Sequence, residues 1–378
     1  MNEQVEKMIS EVSNDTLTLV AREVIDDDSV TLTGDPVFAE ITSSHNDQRT
    51  IGIVKVSGAA VSVRHGSQHN WSSVVKFIDP NVDQPGYGIL DIERKIYEQG
   101  LFSDPEIPFR AARFYKSGED DNGILSLWLE DLTNAPQPPW DLGQFSKAAN
   151  HIGQFNGHNA QSIVRFPFET PSDQSAKFWN AYKNPARSEE LLKARDTPLV
   201  RQGYGDTRIE ATVEFAELFS RVLQISIELP HTLSFGDCHS RNMFPVGEET
   251  VGIDWAAAAM EPNGSDAGRL IGSPLSYGVE EANMAAQNER AIFDSYVNGL
   301  KTAGWNGDVD EIRLGFFCQF GGYIAGLGHL PIDFEKYRPR QEWIEKRFGV
   351  PFDELVPHIA PIIALIPGYT EELRQLLD

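Results

Sequence analysis

Residues 233–242 read LSFGDCHSRN, and residues 252–255 read GIDW. Apolar runs on both sides of the first motif are typical of strands, and the Gly-Glu-Glu at residues 247–249 predicts a turn between two of them. The chain would therefore return as a hairpin strand over residues 250–253. Asp254, at the end of that strand, is then expected close to the aspartate of the first motif.

Asp237, Asn242 and Asp254 are the oxygen-bearing side chains of these two motifs. Phosphoryl transfer needs a carboxylate that orients the attacking hydroxyl and accepts its proton. It also needs two oxygen ligands that hold Mg²⁺ against the phosphates of a nucleotide. We therefore predict Asp237 as the catalytic base, with Asn242 and Asp254 as the metal ligands. An Asp followed five residues later by an Asn is a weak signal alone, so the prediction depends on the hairpin around it.

The charge balance of the whole chain limits its partners. Its 378 residues include 56 acidic and 32 basic side chains, for a formal net charge of −24. Such a field repels nucleic acids and anionic membranes and would concentrate cationic partners, although high solubility or a salt-adapted host would produce the same charge. Two cysteines are too few for a disulfide framework, and we find neither a signal peptide pattern nor an apolar stretch of membrane-spanning length. We expect a cytoplasmic protein without nucleic-acid or membrane partners.

The pattern along the chain changes near the proline-rich stretch at residues 134–139. Before it, strands are predicted at residues 30–32, 38–41, 51–56, 74–78, 109–115 and 124–129. Helices are predicted at residues 1–27, 88–99, 142–160, 207–227, 280–303, 309–327 and 369–377, the fourth beginning with a capping box at Thr207. The fold class is therefore α+β with two lobes. We expect a β-rich nucleotide-binding lobe over residues 1–132, and a helical lobe with the catalytic hairpin and the acceptor site over residues 133–378.

Lys76 is the candidate cation for the nucleotide phosphates. It lies within the apolar run Val74–Ile78, where a lone lysine is costly unless it has a partner. Glu93, on the following helix, is the candidate partner that would hold it in place. The alternatives are a lysine on the solvent face of an edge strand and a glutamate on an exposed helix face. Each functional interpretation supports the other, and we adopt both.

Residues 127–132, Leu-Trp-Leu-Glu-Asp-Leu, precede the proline-rich connection. An extended backbone between two lobes can offer a carbonyl and an N–H group to the edge of adenine, whatever its side chains are. We assign this contact to Glu130 and Leu132, with an edge strand leading into a loop as the alternative. Residues 42–52 form a polar turn with a single glycine, which fits a lid over the phosphates and an ordinary hairpin loop equally.

Three residues near the motifs have structural alternatives. His239 and Arg241 could contact substrate or phosphate, although a structural hydrogen bond is more common for such a histidine. Asp266 either braces the loop or caps the helix that follows, and capping is favoured. Other chemistries lack their motifs, since the sequence has no C-x-x-C pair for zinc, no G-x-S-x-G and no Walker-type phosphate loop.

Taken together, these residues resemble the aminoglycoside phosphotransferase-like kinase family, small-molecule relatives of protein kinases and choline kinases. The resemblance implies a protein-kinase-like fold, ATP or GTP with Mg²⁺ as the phosphate donor, and a hydroxyl on a small molecule as the acceptor. The matching pieces are Val74-Val75-Lys76, the helix with Glu93 and Tyr97, Leu129-Glu130-Asp131-Leu132, residues 236–242, Ile253-Asp254-Trp255 and Asp266.

The chain departs from the family pattern at Phe235, where relatives usually have histidine, and in the glycine-poor turn at residues 42–52. A pseudokinase, which binds nucleotide as a regulatory module, is therefore the alternative function. The presence of Lys76, Asp237 and both predicted metal ligands argues against it. The acceptor has no signature in the sequence. The net charge and the resemblance together favour an amine-bearing metabolite or antibiotic.

Overall fold

The computed structural model describes residues 3–41, 49–82, 92–100, 102, 104, 106–161, 179, 185–205 and 208–378. The greater part of the predicted lid at residues 42–52 therefore lies outside the described residues, as does Thr207. The chain divides into two compact units. The first comprises Met1–Asp104 and Arg110–Ala135, and the second comprises Pro105–Phe109 and Pro136–Asp378.

Six strands precede residue 131, and five of them form one sheet in the first unit. The strands are β1 (Val30–Glu40), β2 (Thr50–Ser62), β3 (Gln68–Ile78), β4 (Phe109–Ala111), β5 (Phe114–Glu119) and β6 (Leu125–Glu130). The sheet is antiparallel and has the spatial order β1-β2-β3-β6-β5. The long strand β3 is therefore central, bonded on both sides, which excludes the edge-strand alternative for Lys76.

Two helices, α1 (Glu3–Ser10) and α2 (Asn14–Ile25), begin the chain and pack against this sheet. The prediction of one helix over residues 1–27 is wrong, because Ser13 caps α2 by accepting a hydrogen bond from the N–H of Thr16. A third helix, α3 (Ile92–Glu98), follows β3 in sequence, and the earlier part of the helix predicted from residue 88 lies outside the described residues.

The second unit is mainly helical. Its helices before the catalytic motifs are α4 (Leu142–Gln161), α5 (Pro185–Ala194), α6 (Pro198–Tyr204) and α7 (Ile209–Ile225). Those after them are α8 (Ser265–Gly272), α9 (Val279–Gln287), α10 (Glu289–Thr302), α11 (Val309–Gly328), α12 (Leu330–Tyr337), α13 (Gln341–Phe348), α14 (Leu355–Ile363) and α15 (Ile366–Leu377). The predicted helix at 280–303 is two helices, which meet at Asn288.

Four short strands interrupt the helices of the second unit: β7 (His231–Ser234), β8 (Met243–Val246), β9 (Glu249–Gly252) and β10 (Ala259–Pro262). Strand β7 pairs with β10, and β8 pairs with β9 as an antiparallel hairpin. The hairpin turn is short because Val246 faces Glu249, and Gly247 takes the positive φ of 58° that such turns require. The hairpin predicted from the motif spacing and the α+β class are confirmed.

In the described part of the chain, no single helix is long and apolar enough to cross a membrane. By length and composition alone, only the segments Leu330–Phe348 and Phe352–Leu377 would pass such a test as a pair, and they are bent by 75° at the break between them.

Candidate active site

The hairpin brings the residues of the first motif together. Asp237 lies on the loop after β7, and Asn242 is the last residue of that loop before β8. The side-chain nitrogen Nδ2 of Asn242 donates a hydrogen bond of 2.7 Å to Oδ2 of Asp237. The carbonyl of Asn242 in turn accepts a hydrogen bond of 2.9 Å from the N–H of Ile253. Asp254 therefore comes directly after Ile253, which is hydrogen-bonded to Asn242.

The Asp237 carboxylate is ordered and still accessible. Besides the bond from Asn242, its Oδ1 lies 3.4 Å from Nε2 of His239, and 43% of the side chain is exposed. His239 is itself fixed, because its Nδ1 accepts a hydrogen bond of 3.2 Å from the N–H of Arg241. A carboxylate held in this way can accept a proton from a hydroxyl that approaches from solvent.

Asp254 has φ of 62° and ψ of 61°, the left-handed conformation. Apart from glycine, aspartate and asparagine tolerate this region best, and strained backbone of this kind clusters at functional sites. The conformation turns the chain from β9 into the short 3₁₀ segment Trp255–Ala257.

The donor set fits a hard divalent cation. Because Asn242 donates through Nδ2 to Asp237, its carbonyl oxygen Oδ1 is directed away from that carboxylate. Amide and carboxylate oxygens are the ligands that Mg²⁺ prefers, with water and phosphate oxygens completing its coordination. Asn242 and Asp254 are thus suited to the predicted role. Among the described residues, no group of three His, Cys, Asp or Glu side chains is arranged to hold a metal ion.

Asp266 braces the loop from beneath. Its Oδ2 accepts from the N–H of Phe235 at 2.9 Å, and its Oδ1 accepts from the N–H of Gly236 at 3.1 Å and from the hydroxyl of Ser234 at 2.6 Å. Only 1% of Asp266 is exposed. The favoured capping role is wrong, since α8 begins after Gly264 and has no side-chain cap.

A buried polar network surrounds Asp266, and sequence reasoning missed it. Asn156 of α4 donates from Nδ2 to Oδ2 of Asp266 at 3.1 Å and to the carbonyl of Leu233 at 2.9 Å. Arg269 forms an ion pair with Glu261 through both carboxylate oxygens, and Glu261 also accepts from Ser234. The only local signal was the spacing of Asp266 and Arg269 on one helix face.

Phe235, where the kinases that the motifs resemble usually have histidine, is an apolar anchor for the loop. Its ring is fully buried and lies 4.5 Å from the ring of Trp255 and 5.5 Å from the ring of Phe109. Phe155 packs against Phe109 and Trp255 in the same cluster. Apolar packing therefore fixes the start of the loop and ties it to Trp255, the residue after Asp254.

Gly236 is required by both its backbone and its surroundings. Its φ is 85°, and a Cβ added there would lie 2.0 Å from the carbonyl oxygen of Ala257. Gly247, at the hairpin turn, also has positive φ, but a Cβ there would meet nothing within 4 Å. A comparison of substitutions at these two glycines therefore distinguishes the cost of backbone strain from the cost of steric exclusion.

We expect Gly247→Ala to lower the free energy of unfolding by about 1 kcal/mol, from the left-handed backbone alone. Gly236→Ala should cost at least about 2 kcal/mol more, because the loop must also move away from Ala257. Denaturant unfolding of both variants measures the difference. Equal costs would show that the close contact at Ala257 does not constrain the loop.

In the first unit, Lys76 and Glu93 form the predicted ion pair. The Nζ of Lys76 lies 2.8 Å from Oε2 of Glu93, and both residues are buried, with 8% and 5% exposed. Lys76 is in the central strand β3, opposite Ile53 on one side and Leu127 on the other. Glu93 lies in the first turn of α3. The exposed-helix alternative for Glu93 is thereby excluded.

We expect either Lys76→Met or Glu93→Leu alone to lower the free energy of unfolding by about 3 kcal/mol, because each removes the opposite charge that this pair supplies to a buried side chain. The double variant should cost clearly less than the sum of the two, since it removes both charges. A double-mutant cycle measured by chemical denaturation tests this. Additive costs would mean that the two side chains do not stabilise each other.

Glu130 and Leu132 remain predicted nucleotide contacts. The side chain of Glu130 pairs with Arg110 at 2.7 Å and accepts from the N–H of Arg113 at 3.0 Å. Burial raises the pKa of Glu130, but these partners outweigh it, and the pKa is lowered overall. The N–H of Glu130 donates to the carbonyl of Arg113, and the carbonyl of Leu132 accepts from the N–H of Ala135. The Glu130 side chain is therefore structural, and any contact with adenine would involve backbone.

No protein-family profile matches the sequence, and no curated protein matches it. Many solved structures do resemble it. A candidate aminoglycoside phosphotransferase from Ralstonia eutropha JMP134 shares 14% identity and a TM-score of 0.49, covering 96% of this chain and 98% of that one. A choline/ethanolamine kinase family protein from Mesorhizobium loti shares 11% identity and a TM-score of 0.47, covering 91% and 93%.

Amicoumacin kinase, solved in complex with AMP-PNP, Ca²⁺ and amicoumacin, shares 11% identity and a TM-score of 0.45, covering 94% of this chain and 100% of that one. The solved structures that this chain resembles thus include aminoglycoside phosphotransferases and choline kinases.

Proposed function

We propose that the protein is a small-molecule kinase that transfers the γ-phosphate of ATP or GTP to a hydroxyl group. The observation that carries this proposal is the loop at residues 235–242. There a carboxylate, Asp237, is oriented by the amide of Asn242 and remains accessible to solvent. The braced backbone of the loop and the left-handed Asp254 support the same assignment.

In this proposal Asp237 orients the acceptor hydroxyl and takes its proton as the oxygen attacks phosphorus. The hydrogen bond from Asn242 keeps the carboxylate in one rotamer, which lowers the entropic cost of orientation. His239 lies on the other carboxylate oxygen and limits its rotation. Removal of a positioned base typically costs two to four decades in rate.

Asn242 and Asp254 would hold Mg²⁺, and Asp254 would dominate because it carries charge. A bound Mg²⁺ would neutralise phosphate charge and orient the transferred group. Lys76, held by Glu93, is assigned to the α- and β-phosphates of the nucleotide, and the backbone of Glu130 and Leu132 to the adenine edge. A cytoplasmic location fits this chemistry and the two buried cysteines, neither of which is in a disulfide.

The amine-bearing acceptor expected from the net charge and the resemblance stays a prediction. His239 lies beside the Asp237 carboxylate, and Arg241, four residues after Asp237 on the same loop, is a permanent cation. Arg241 would repel a cationic acceptor and Asp237 would attract one, so the charges of this loop do not exclude an amine.

The proposal is tested by screening a panel of hydroxylated metabolites and antibiotics for acceptor-dependent release of ADP or GDP. For an accepted substrate, Asp237→Asn should lower kcat by about two to four decades and leave binding of the Mg²⁺–nucleotide complex nearly unchanged. Near-normal turnover in this variant would reject Asp237 as the base. Nucleotide binding without turnover of any acceptor would favour the pseudokinase alternative.

The metal assignment is tested by Asp254→Asn, because asparagine tolerates the left-handed backbone and removes only the charge. We expect the affinity for a non-hydrolysable ATP analogue in the presence of Mg²⁺ to fall at least about tenfold. Affinity in EDTA should be the same in both proteins. Calorimetric titration measures both conditions, and an unchanged Mg²⁺-dependent affinity would contradict the assignment.

A further inference from the structure

Three arginines form a basic cluster in the second unit: Arg241, Arg340 and Arg347. Arg241 is on the loop with Asp237, four residues after it. Its guanidinium lies 3.7 Å from the centre of the Tyr277 ring. Arg347 is hydrogen-bonded to the two residues that flank Tyr277 in the sequence. Its Nε donates to the carbonyl of Ser276, and its own carbonyl accepts from the N–H of Gly278.

A second aromatic ring extends the cluster. The guanidinium groups of Arg340 and Arg347 lie 4.5 Å and 4.9 Å from the centre of the Trp343 ring. Trp343 is exposed over 42% of its surface, which is unusual for so large an apolar side chain. The cluster thus presents cationic and aromatic groups at an accessible surface.

The arginines of this cluster have no acidic partner, unlike most other arginines in the described part of the unit, of which Arg208 and Arg221 are the exceptions. Arg269 pairs with Glu261, Arg313 pairs with Glu289 and Glu372, and Arg338 pairs with Glu335. In the described part of the chain, none of the three cluster arginines forms an ion pair with a carboxylate. In a chain with 56 acidic and 32 basic residues, this local separation of charge requires an explanation.

The like charges also oppose one another. Burial lowers the pKa of Arg347, and the charges of Arg241 and Arg340 lower it further. Tyr277 is close enough to the candidate base that the charge of Asp237 contributes to raising its pKa. A bound anion would relieve the repulsion among the three arginines, and it would do so next to Asp237.

We propose that the acceptor substrate carries an oxyanion, a carboxylate or a phosphate, which Arg241 and Arg347 bind while its hydroxyl faces Asp237. Arginine presents a planar fork of donors that matches both groups. Tyr277 would hold the guanidinium of Arg241 flat and restrict its rotamers, and Trp343 would cover the apolar part of the acceptor. This inference rests on the proposed kinase function and deepens it, since it gives the acceptor a charge.

The first experiment measures binding without turnover. Inorganic phosphate should raise the melting temperature of the wild-type protein and of Lys76→Gln, in which the donor-phosphate residue is lost. The increase should disappear in Arg241→Gln and Arg347→Gln. Arg338→Gln is the matched control, because it removes the same charge from the same region but from an arginine that already has an acidic partner. Equal increases in all four variants would overturn the proposal, as would no increase in the wild type.

The second experiment uses acceptors that share one skeleton: gluconate, glucose 6-phosphate, glucose and glucosamine, together with the best substrate from the panel. Gluconate and glucose 6-phosphate, which are anionic, should be better acceptors than glucose and glucosamine. Arg241→Gln should raise the KM for an anionic acceptor about 10- to 100-fold, the usual effect of losing a hydrogen bond to a charged group. The KM for nucleotide should not change.

The outcomes separate the two proposals. Turnover of a neutral or cationic acceptor that is unaffected by Arg241→Gln would reject the oxyanion site and leave the kinase function standing. Phosphate binding that depends on Arg241 and Arg347, without turnover of any acceptor, would support the oxyanion site and count against the kinase function. A larger KM for nucleotide in Arg241→Gln would instead place this arginine on the donor phosphates and overturn the inference.

Discussion

The loop that carries the candidate base Asp237 depends on one buried carboxylate, Asp266. Two consecutive backbone N–H groups, those of Phe235 and Gly236, point into the protein where no strand partner is available, and Asp266 accepts from both. A buried carboxylate is tolerated only when hydrogen bonds replace its hydration, and Ser234 and Asn156 supply the rest. The turn that carries Asp237 to the surface is therefore stabilised by charge from below rather than by a regular hydrogen-bond ladder.

The candidate functional residues differ in how they are charged and solvated. Lys76 and Glu93 are both buried, and the ion pair between them fixes the lysine in one position. Asp237 keeps contact with water, which suits the proton exchange proposed for it. The basic cluster lies between these extremes, because its arginines are partly shielded by aromatic rings and no carboxylate among the described residues pairs with them. The ion pair, the candidate base and the basic cluster therefore differ in how far their charged side chains are removed from water.

Sequence patterns predicted the parts of this protein that are locally determined. The periodicity of α4 placed that helix almost to the residue, and the glycine turn at 247 placed the hairpin. Breaks within helices were missed, as at Asn288, because nothing in the apolar pattern marks them. Asp266 was assigned to capping because a bracing carboxylate and a capping one occupy the same sequence position. The basic cluster could not be predicted from the sequence, because Arg241 and Arg347 are about a hundred residues apart and only tertiary packing brings them together.

The close approach of Gly236 to the carbonyl of Ala257 also limits how these two segments can move relative to each other. The two backbones are packed so tightly that no side-chain atom fits between them, and the ring of Phe235 against Trp255 joins the same two segments. Packed interiors deform very little, so the segment with the candidate base and the segment with the candidate metal ligand must move as one body. Fluctuations of the chain would then be absorbed elsewhere, and the distance between Asp237 and Asp254 would stay nearly constant.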